Sequence, residues 1–463
     1  MRNLRLGRVE RVFWSVSLLG ALAAAGCGGG GGGSSPGAPP VTRPTATPPA
    51  GAKIAHVVII IQENRSFDNL FATFPGADGA TTGKTHDGKI VKLVKSKLAS
   101  LDLNHMHSGF LTECDMQGGV CKMDGFDQIG FGASGQNGPA GLYPYRYVDP
   151  AQIAPYWTMA KQYALADHLF QTQGSGSFTA HQDLIRGNTE INDTESLIDS
   201  PSRGPWGCDA LHTKKIRTKT SLLTNTGEYL FNKGPFPCFS YTTLRDLLDA
   251  KGVSWRYYVP PLEQGSSGYL WNAFDAIRPV RYSSEWTDNV ISPETKVLSD
   301  VAAGKLAGVT WVIPDSQNSD HPLGTDTGPS WVSQVVNAIG KSPAWNTTAI
   351  VIVWDDWGGF YDHVPPPQLD YQGLGFRVPM LIVSPYAKPG YISHTQYEFA
   401  SILKFVEDNW HLGRIGGNDE RAASIIDCFD FKGQPRSFVP LHTEYSRAFF
   451  ERQRPSGRPV DSE

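Results

Sequence analysis

The stretch HVVIIIQENRSFDNLF, residues 56–71, decides the fold. Residues 57–61 form a β-branched, apolar run of strand length; Gln62-Glu63-Asn64-Arg65 stops it, and Ser66-Phe67-Asp68 opens a helix. A buried strand therefore carries a carboxylate and an amide at its carboxyl end. In an open α/β sheet the carboxyl ends of parallel strands share one edge, and ligands bind there. A second segment has the same form: residues 347–353, TTAIVIV, run straight into Trp354-Asp355-Asp356-Trp357-Gly358-Gly359. If both strands are parallel members of one sheet, Glu63, Asn64, Asp355 and Asp356 converge. Such a set of hard oxygen ligands suits one divalent cation. A lone carboxylate at a strand end is ordinarily a cap or turn residue, and it is the pairing of two such ends that favours the metal reading.

The chain has 463 residues, 40% hydrophobic and 19% charged, with 12 Trp, 17 Tyr and 22 Phe. An aromatic-rich core of considerable size is expected, in one large α/β domain or two smaller ones. The formal net charge is -4 and there is no long basic run, so no nucleic-acid partner is expected.

Residues 1–27 read as a signal peptide: Arg2, Arg5, Arg8 and Arg11 precede an apolar stretch over 13–25, and Ala24-Ala25-Gly26-Cys27 follows. The ending resembles the lipobox of bacterial lipoproteins, in which the cysteine is lipidated, with Ala24 where Leu is usual. An ordinary secretory signal cut among the same alanines is the alternative. The apolar stretch is short for a membrane-spanning helix. Both readings predict export, to the periplasm or as an outer-membrane or cell-surface lipoprotein, with membrane contact through the lipid. Residues 28–51 are a Gly/Pro/Ser/Thr-rich tether that cannot form a core. The folded domain is expected over 52–440, followed by a C-terminal tail over 441–463. Cys114 with Cys121 and Cys208 with Cys238 are the simplest disulfide pairs in an oxidising compartment, which leaves Cys428 as a buried thiol.

Along the domain, His105 and His107 stand two apart in a loop, as candidate metal or phosphate ligands beside the reading as surface histidines. Residues 151–166 have helical periodicity. The Gly/Ser loop of Gln173-Gly174-Ser175-Gly176-Ser177 then opens a helix, whose start would present N–H groups to an anion. Ser177 stands at that start, where the bland reading is an N-cap serine. The G-x-S-x-G hydrolase elbow is absent. Residues 188–252 form a polar insertion, expected as loop and short helix over the active edge. Residues 253–259, 307–313 and 378–384 read as strands, and the second of these leads to Asp320-His321. Helices are expected over 331–340 and 397–410.

Gln62-Glu63-Asn64-Arg65-Ser66-Phe67-Asp68, Lys122-Met123-Asp124-Gly125-Phe126 and the segment from Asp355 to Pro366, DDWGGFYDHVPP, together with residues 378–390 and 401–410, resemble the bacterial phosphoesterase family of non-haemolytic phospholipases C and periplasmic acid phosphatases. The resemblance runs over about 54–431. It implies an alkaline-phosphatase-like α/β fold, a sheet sandwiched between helices with the site at the carboxyl edge of the strands. It also implies a hydrolase that acts on phosphate monoesters or phospholipid head groups. By this resemblance Glu63, Asn64, Asp355 and Asp356 hold the metal and Ser177 is the nucleophile. His105 and His321 contact the phosphoryl group or serve the leaving group, and His107, His181 and His363 are further substrate contacts. His181 stands where Asn or Arg is frequent nearby. A non-catalytic surface lipoprotein that keeps the fold for binding is the alternative. Sulfatase chemistry is disfavoured by the missing Cys-x-Pro-x-Arg signature.

Overall fold

The computed structural model describes residues 50–132 and 136–457. The signal peptide, Cys27 and the tether as far as residue 49 lie outside the described residues. A sheet of eight strands forms the centre: β1 (His56–Gln62), β2 (Ala164–Ala166), β3 (Trp255–Tyr258), β4 (Val290–Ile291), β5 (Val309–Val312), β6 (Thr348–Trp354), β7 (Met380–Val383) and β8 (Tyr391–Ser393). Their order is β4-β3-β5-β1-β6-β7-β2-β8. Seven strands run parallel and β7 alone is reversed, antiparallel to both β6 and β2.

Every residue of β1 and β6 is buried, which explains why these two read as continuous apolar runs rather than alternating ones. Their register pairs Gln62 with Trp354, so Glu63 and Asp355 leave the sheet side by side. Helices cover the sheet. Ser177–Arg186 packs against Phe399–Trp410, and Ala154–Gln162 packs against Gly328–Gly340. The core is aromatic, as composition suggested, with Trp255, Trp271, Trp311, Trp331, Trp354 and Trp357 fully buried.

Two expectations need correction. The helix read over 151–166 ends at Gln162, and Ala164–Ala166 is strand β2. Those three residues are wholly buried between two strands, and in so short a run tertiary pairing overrides helix propensity. The insertion over 188–252 is built on a four-stranded antiparallel sheet, Glu190–Asn192, Glu195–Ile198, Ser221–Thr224 and Tyr229–Leu230, with one helix, Leu244–Ala250. Strands of two to four residues are too short to show alternation in sequence. The disulfides join Cys114 to Cys121 and Cys208 to Cys238, and Cys428 is a buried thiol. At the C-terminus a helix, Arg447–Arg452, buries Phe450, and the Asn337 side chain holds both the N–H and the carbonyl of Leu441 at 2.8 and 3.0 Å. Among the described residues no helix is long and apolar enough to cross a membrane.

Candidate active site

Where β1 and β6 end, the chain turns sharply. Asn64 takes a left-handed conformation (φ 61°), which asparagine tolerates better than most residues. Its N–H donates to Oδ1 of Asp355 at 2.9 Å. Gly358 is also left-handed (φ 63°), and a Cβ there would lie 2.2 Å from the carbonyl oxygen of Asn64. The glycine is what lets the β6 turn close over the β1 turn. We therefore expect Gly358→Ala to cost about 2–5 kcal/mol, from left-handed backbone plus overpacking, read as a lower urea midpoint at unchanged slope.

Glu63, Asn64, Asp355 and Asp356 are all fully buried, and the two strand ends bring them together. Oε1 of Glu63 lies 3.0 Å from Nε2 of His181, and that nitrogen is 3.9 Å from Oδ2 of Asp355. One ligand atom each from Glu63, His181 and Asp355 falls within 4.8 Å of the others. Ser177 begins its helix after Gly176, and its hydroxyl donates to Oδ2 of Asp356 at 3.2 Å. Oδ1 of Asp356 accepts from the N–H of Gly358 at 2.8 Å. Ser177 and His181 are four residues apart and so share one helix face, the face turned to this cluster.

The loop before Ser177 is held from beneath. Nδ1 of His107 donates to the Gly174 carbonyl at 2.7 Å, and a Cβ on Gly174 would lie 2.1 Å from the Phe110 ring. His107 thus contacts the loop backbone. His105 has Nδ1 on the Leu103 carbonyl at 2.7 Å and Nε2 accepting from the Asn64 amide at 2.8 Å. That bond fixes the amide so that its oxygen faces away from His105. His321 sits beside His105, ring centroids 6.2 Å apart, with Nδ1 on the Pro322 carbonyl at 2.5 Å. Asp102 completes this second group with His105 and His321.

His363 belongs to a third group. Its Nδ1 donates to Asp68 at 2.7 Å, its Nε2 is 3.3 Å from Asp78, and the buried Arg377 lies between Asp68 and Asp362. Burial disfavours the charged imidazole, but the hydrogen bond and the charges of Asp68 and Asp362 outweigh it and hold the His363 pKa above its ordinary value.

The buried donor set fits a divalent cation. Among the described residues, Oδ1 of Asn64 and Oδ2 of Asp355 are buried with no hydrogen-bond partner, and unmade bonds at buried acceptors are costly unless something else meets them. The ring of His181, expected from the resemblance to contact substrate, stands against Glu63 and Asp355, and its four-residue spacing from Ser177 is the signal the sequence offers for that placement. Asp102 and Trp271, on which the His181 ring stacks at 6.2 Å, were not anticipated.

A mixed sheet with a buried acidic cluster at its carboxyl edge and a serine hydroxyl at a helix start facing that cluster defines an α/β protein whose candidate site lies at the strand ends. The chain belongs to the phosphoesterase family, whose model matches residues 54–413. It is 24% identical to a non-hemolytic phospholipase C of Pseudomonas aeruginosa, over 77% of this chain and 54% of that protein. It is 25% identical to phospholipase C B of Mycobacterium tuberculosis, over 45% and 47%, and 23% identical to non-specific phospholipase C6 of Arabidopsis thaliana, over 84% and 74%. The chain spans about half the length of the first two relatives. Among solved structures, a protein in the alkaline phosphatase superfamily from Vibrio parahaemolyticus aligns over 84% of this chain and 76% of that one, with a TM-score of 0.37 and 11% identity.

Proposed function

We propose that this chain is an exported, metal-dependent phosphoesterase that hydrolyses phosphate esters through Ser177, with phospholipid head-group diesters as the preferred class. The observation that carries the reading is the hydroxyl of Ser177 at a helix start, 3.2 Å from Oδ2 of Asp356, inside the Glu63, Asn64 and Asp355 cluster. The preference for diesters rests on relatives named phospholipase C. The N-terminal sequence supports export, to the periplasm or to a lipid-anchored place on the cell surface.

Glu63, Asn64, Asp355 and Asp356, with His181 beside them, would hold one divalent cation. When bound, that ion would lower the pKa of the Ser177 hydroxyl and neutralise charge on the phosphoryl oxygens. The Ser177 oxygen attacks phosphorus as its proton passes to Asp356, and the bond from phosphorus to the leaving oxygen breaks. His321 supplies a proton to that oxygen. Water then releases phosphate or a phosphorylated head group from Ser177, with the proton transfers reversed. The helix N-terminus favours the anionic group throughout, and phosphoryl transfer asks for little beyond such positioning and charge neutralisation. His105, by holding the Asn64 amide nitrogen, would leave the amide oxygen free to serve as a ligand.

The test compares p-nitrophenylphosphorylcholine with p-nitrophenyl phosphate, with and without chelator. Faster turnover of the diester, lost in chelator and restored by a divalent metal, is the expected result. Preference for the monoester would make the chain a phosphatase. Activity indifferent to chelator would remove the metal from the reading, and inactivity on both substrates with metal present would favour a binding protein.

A further inference from the structure

A second acidic site lies on the same edge of the sheet, on the far side of β5. Glu294 follows β4 and Asp315 follows β5, so both stand at carboxyl ends of parallel strands. They line a cavity of about 140 Å³ together with Asn318 and the C-terminal residues Gln453, Arg454 and Pro455. Both acids are only 4% exposed. Among the described residues, Oε2 of Glu294 and Oδ2 of Asp315 are buried without a hydrogen-bond partner. Arg454 lines the same cavity, yet among the described residues it forms no ion pair with either acid.

Two buried carboxylates around one cavity, each with an unused oxygen, require a compensating positive charge or a proton. Burial, and after it the charge of Asp315, pushes the Glu294 pKa up to about 8, while Asp315 is also raised by burial. The two free carboxylate oxygens, in a lining that also includes Thr295 and Glu451, favour a hard cation, and room for several waters suits calcium, which tolerates irregular coordination better than magnesium does. We infer that Glu294 and Asp315 bind a calcium ion that locks the C-terminal segment onto the loop carrying His321.

The loop contacts show what such an ion would secure. Asp315 caps the turn Ser316–Asn318, its Oδ1 accepting from the Gln317 N–H at 3.1 Å. Ser316 meets Ser456 at 2.8 Å, Gln317 donates to the Arg454 carbonyl at 3.0 Å, and Asn318 donates to Gln453 at 2.9 Å. Three consecutive loop residues are therefore tied to the C-terminal segment, and the same loop continues to Asp320 and His321. The ion would sit where these two pieces of chain meet. The inference stands whether or not Ser177 is the nucleophile.

The test uses the full chain, calcium alone as probe, and three forms: wild type, Glu294→Gln and Asp355→Asn. Chelated protein is titrated with calcium while thermal unfolding and bound calcium per chain are followed, and the C-terminal segment is monitored by limited proteolysis. In Asp355→Asn, calcium is expected to raise Tm by several degrees and to slow cleavage after residue 446. In Glu294→Gln, one calcium fewer should bind per chain than in wild type, and the slowing of cleavage should vanish. Glu294→Gln should fold as well as wild type in chelator, because burial already favours a neutral side chain there. The inference is overturned if Glu294→Gln keeps the full calcium stoichiometry and protease protection. It is equally overturned if Asp355→Asn loses every calcium effect, which would leave only the ion beside Ser177. Absence of calcium binding to all three forms overturns it as well, and then the two carboxyls share a proton.

Discussion

Ser177→Ala is expected to lower turnover of the p-nitrophenyl esters by roughly 10⁴-fold or more, the scale found when a nucleophile is removed from an enzyme that retains its other groups. The fold should survive. The substitution deletes one oxygen from a buried helix start and one hydrogen bond to Asp356, which is worth about 1 kcal/mol. The helix keeps its glycine boundaries, Gly176 and Gly187, and its buried run from Phe178 to Ile185. Metal affinity should persist, since Glu63, Asn64 and Asp355 keep their partners in the variant. A quenched reaction of the parent protein should show a phosphoryl group on Ser177 by intact mass and peptide mapping, absent from the variant. Undiminished turnover would shift the reaction to direct attack by water and leave Ser177 as a cap.

Arg377→Met is expected to destabilise the fold by about 3–5 kcal/mol, the cost of removing one partner from a buried ionic network. Arg377 is fully buried. It donates to both oxygens of Asp362 at 2.9 and 3.1 Å and to the carbonyls of Asp78 and Asp167 at 2.8 and 2.9 Å, and it lies 3.6 Å from Asp68. Without the guanidinium, two buried carboxylates face each other. Burial first, then Asp362, already raises the Asp68 pKa even with Arg377 in place. Methionine fills part of the volume, so the loss is electrostatic before it is one of packing. The pH dependence separates the two. A carboxyl whose folded pKa lies above its unfolded one binds more protons in the folded state, so stability rises as pH falls through the folded value. The deficit relative to wild type should therefore shrink on mild acidification, measured as urea midpoints at neutral and mildly acidic pH. A deficit constant with pH would assign the role of Arg377 to packing.

These two positions also mark the limit of what the sequence reveals. Glu63, Asn64, Asp355 and Asp356 are legible because two long parallel strands, buried on both faces, print their ends directly into the sequence as apolar runs followed by acids. The disulfides are legible from spacing alone. His181 is half-legible, since helical periodicity puts it on the face of Ser177 but says nothing of Glu63. The short strands are not: Ala164–Ala166 is long enough to pair and too short to show a period. Asp68, Asp362 and His363 belong to the two most distinctive motifs in the chain, yet their partners are Arg377 and Asp78. A distinctive motif here combines residues that meet Ser177 with residues that anchor the turns, and only three-dimensional pairing separates them.

The reversal of β7 has one further effect. Because this strand runs against its neighbours, the residues that reach the active edge from it are those preceding Met380, Arg377 among them. An edge fed from one side by strand exits and from the other by a strand entrance draws its groups from opposite chain directions. Cutting the chain within 364–375 to make new termini would therefore detach Arg377 from Asp362 in sequence while leaving every strand intact, so that refolding of such a permutant would report how much of this edge assembles through the loop and how much through the sheet.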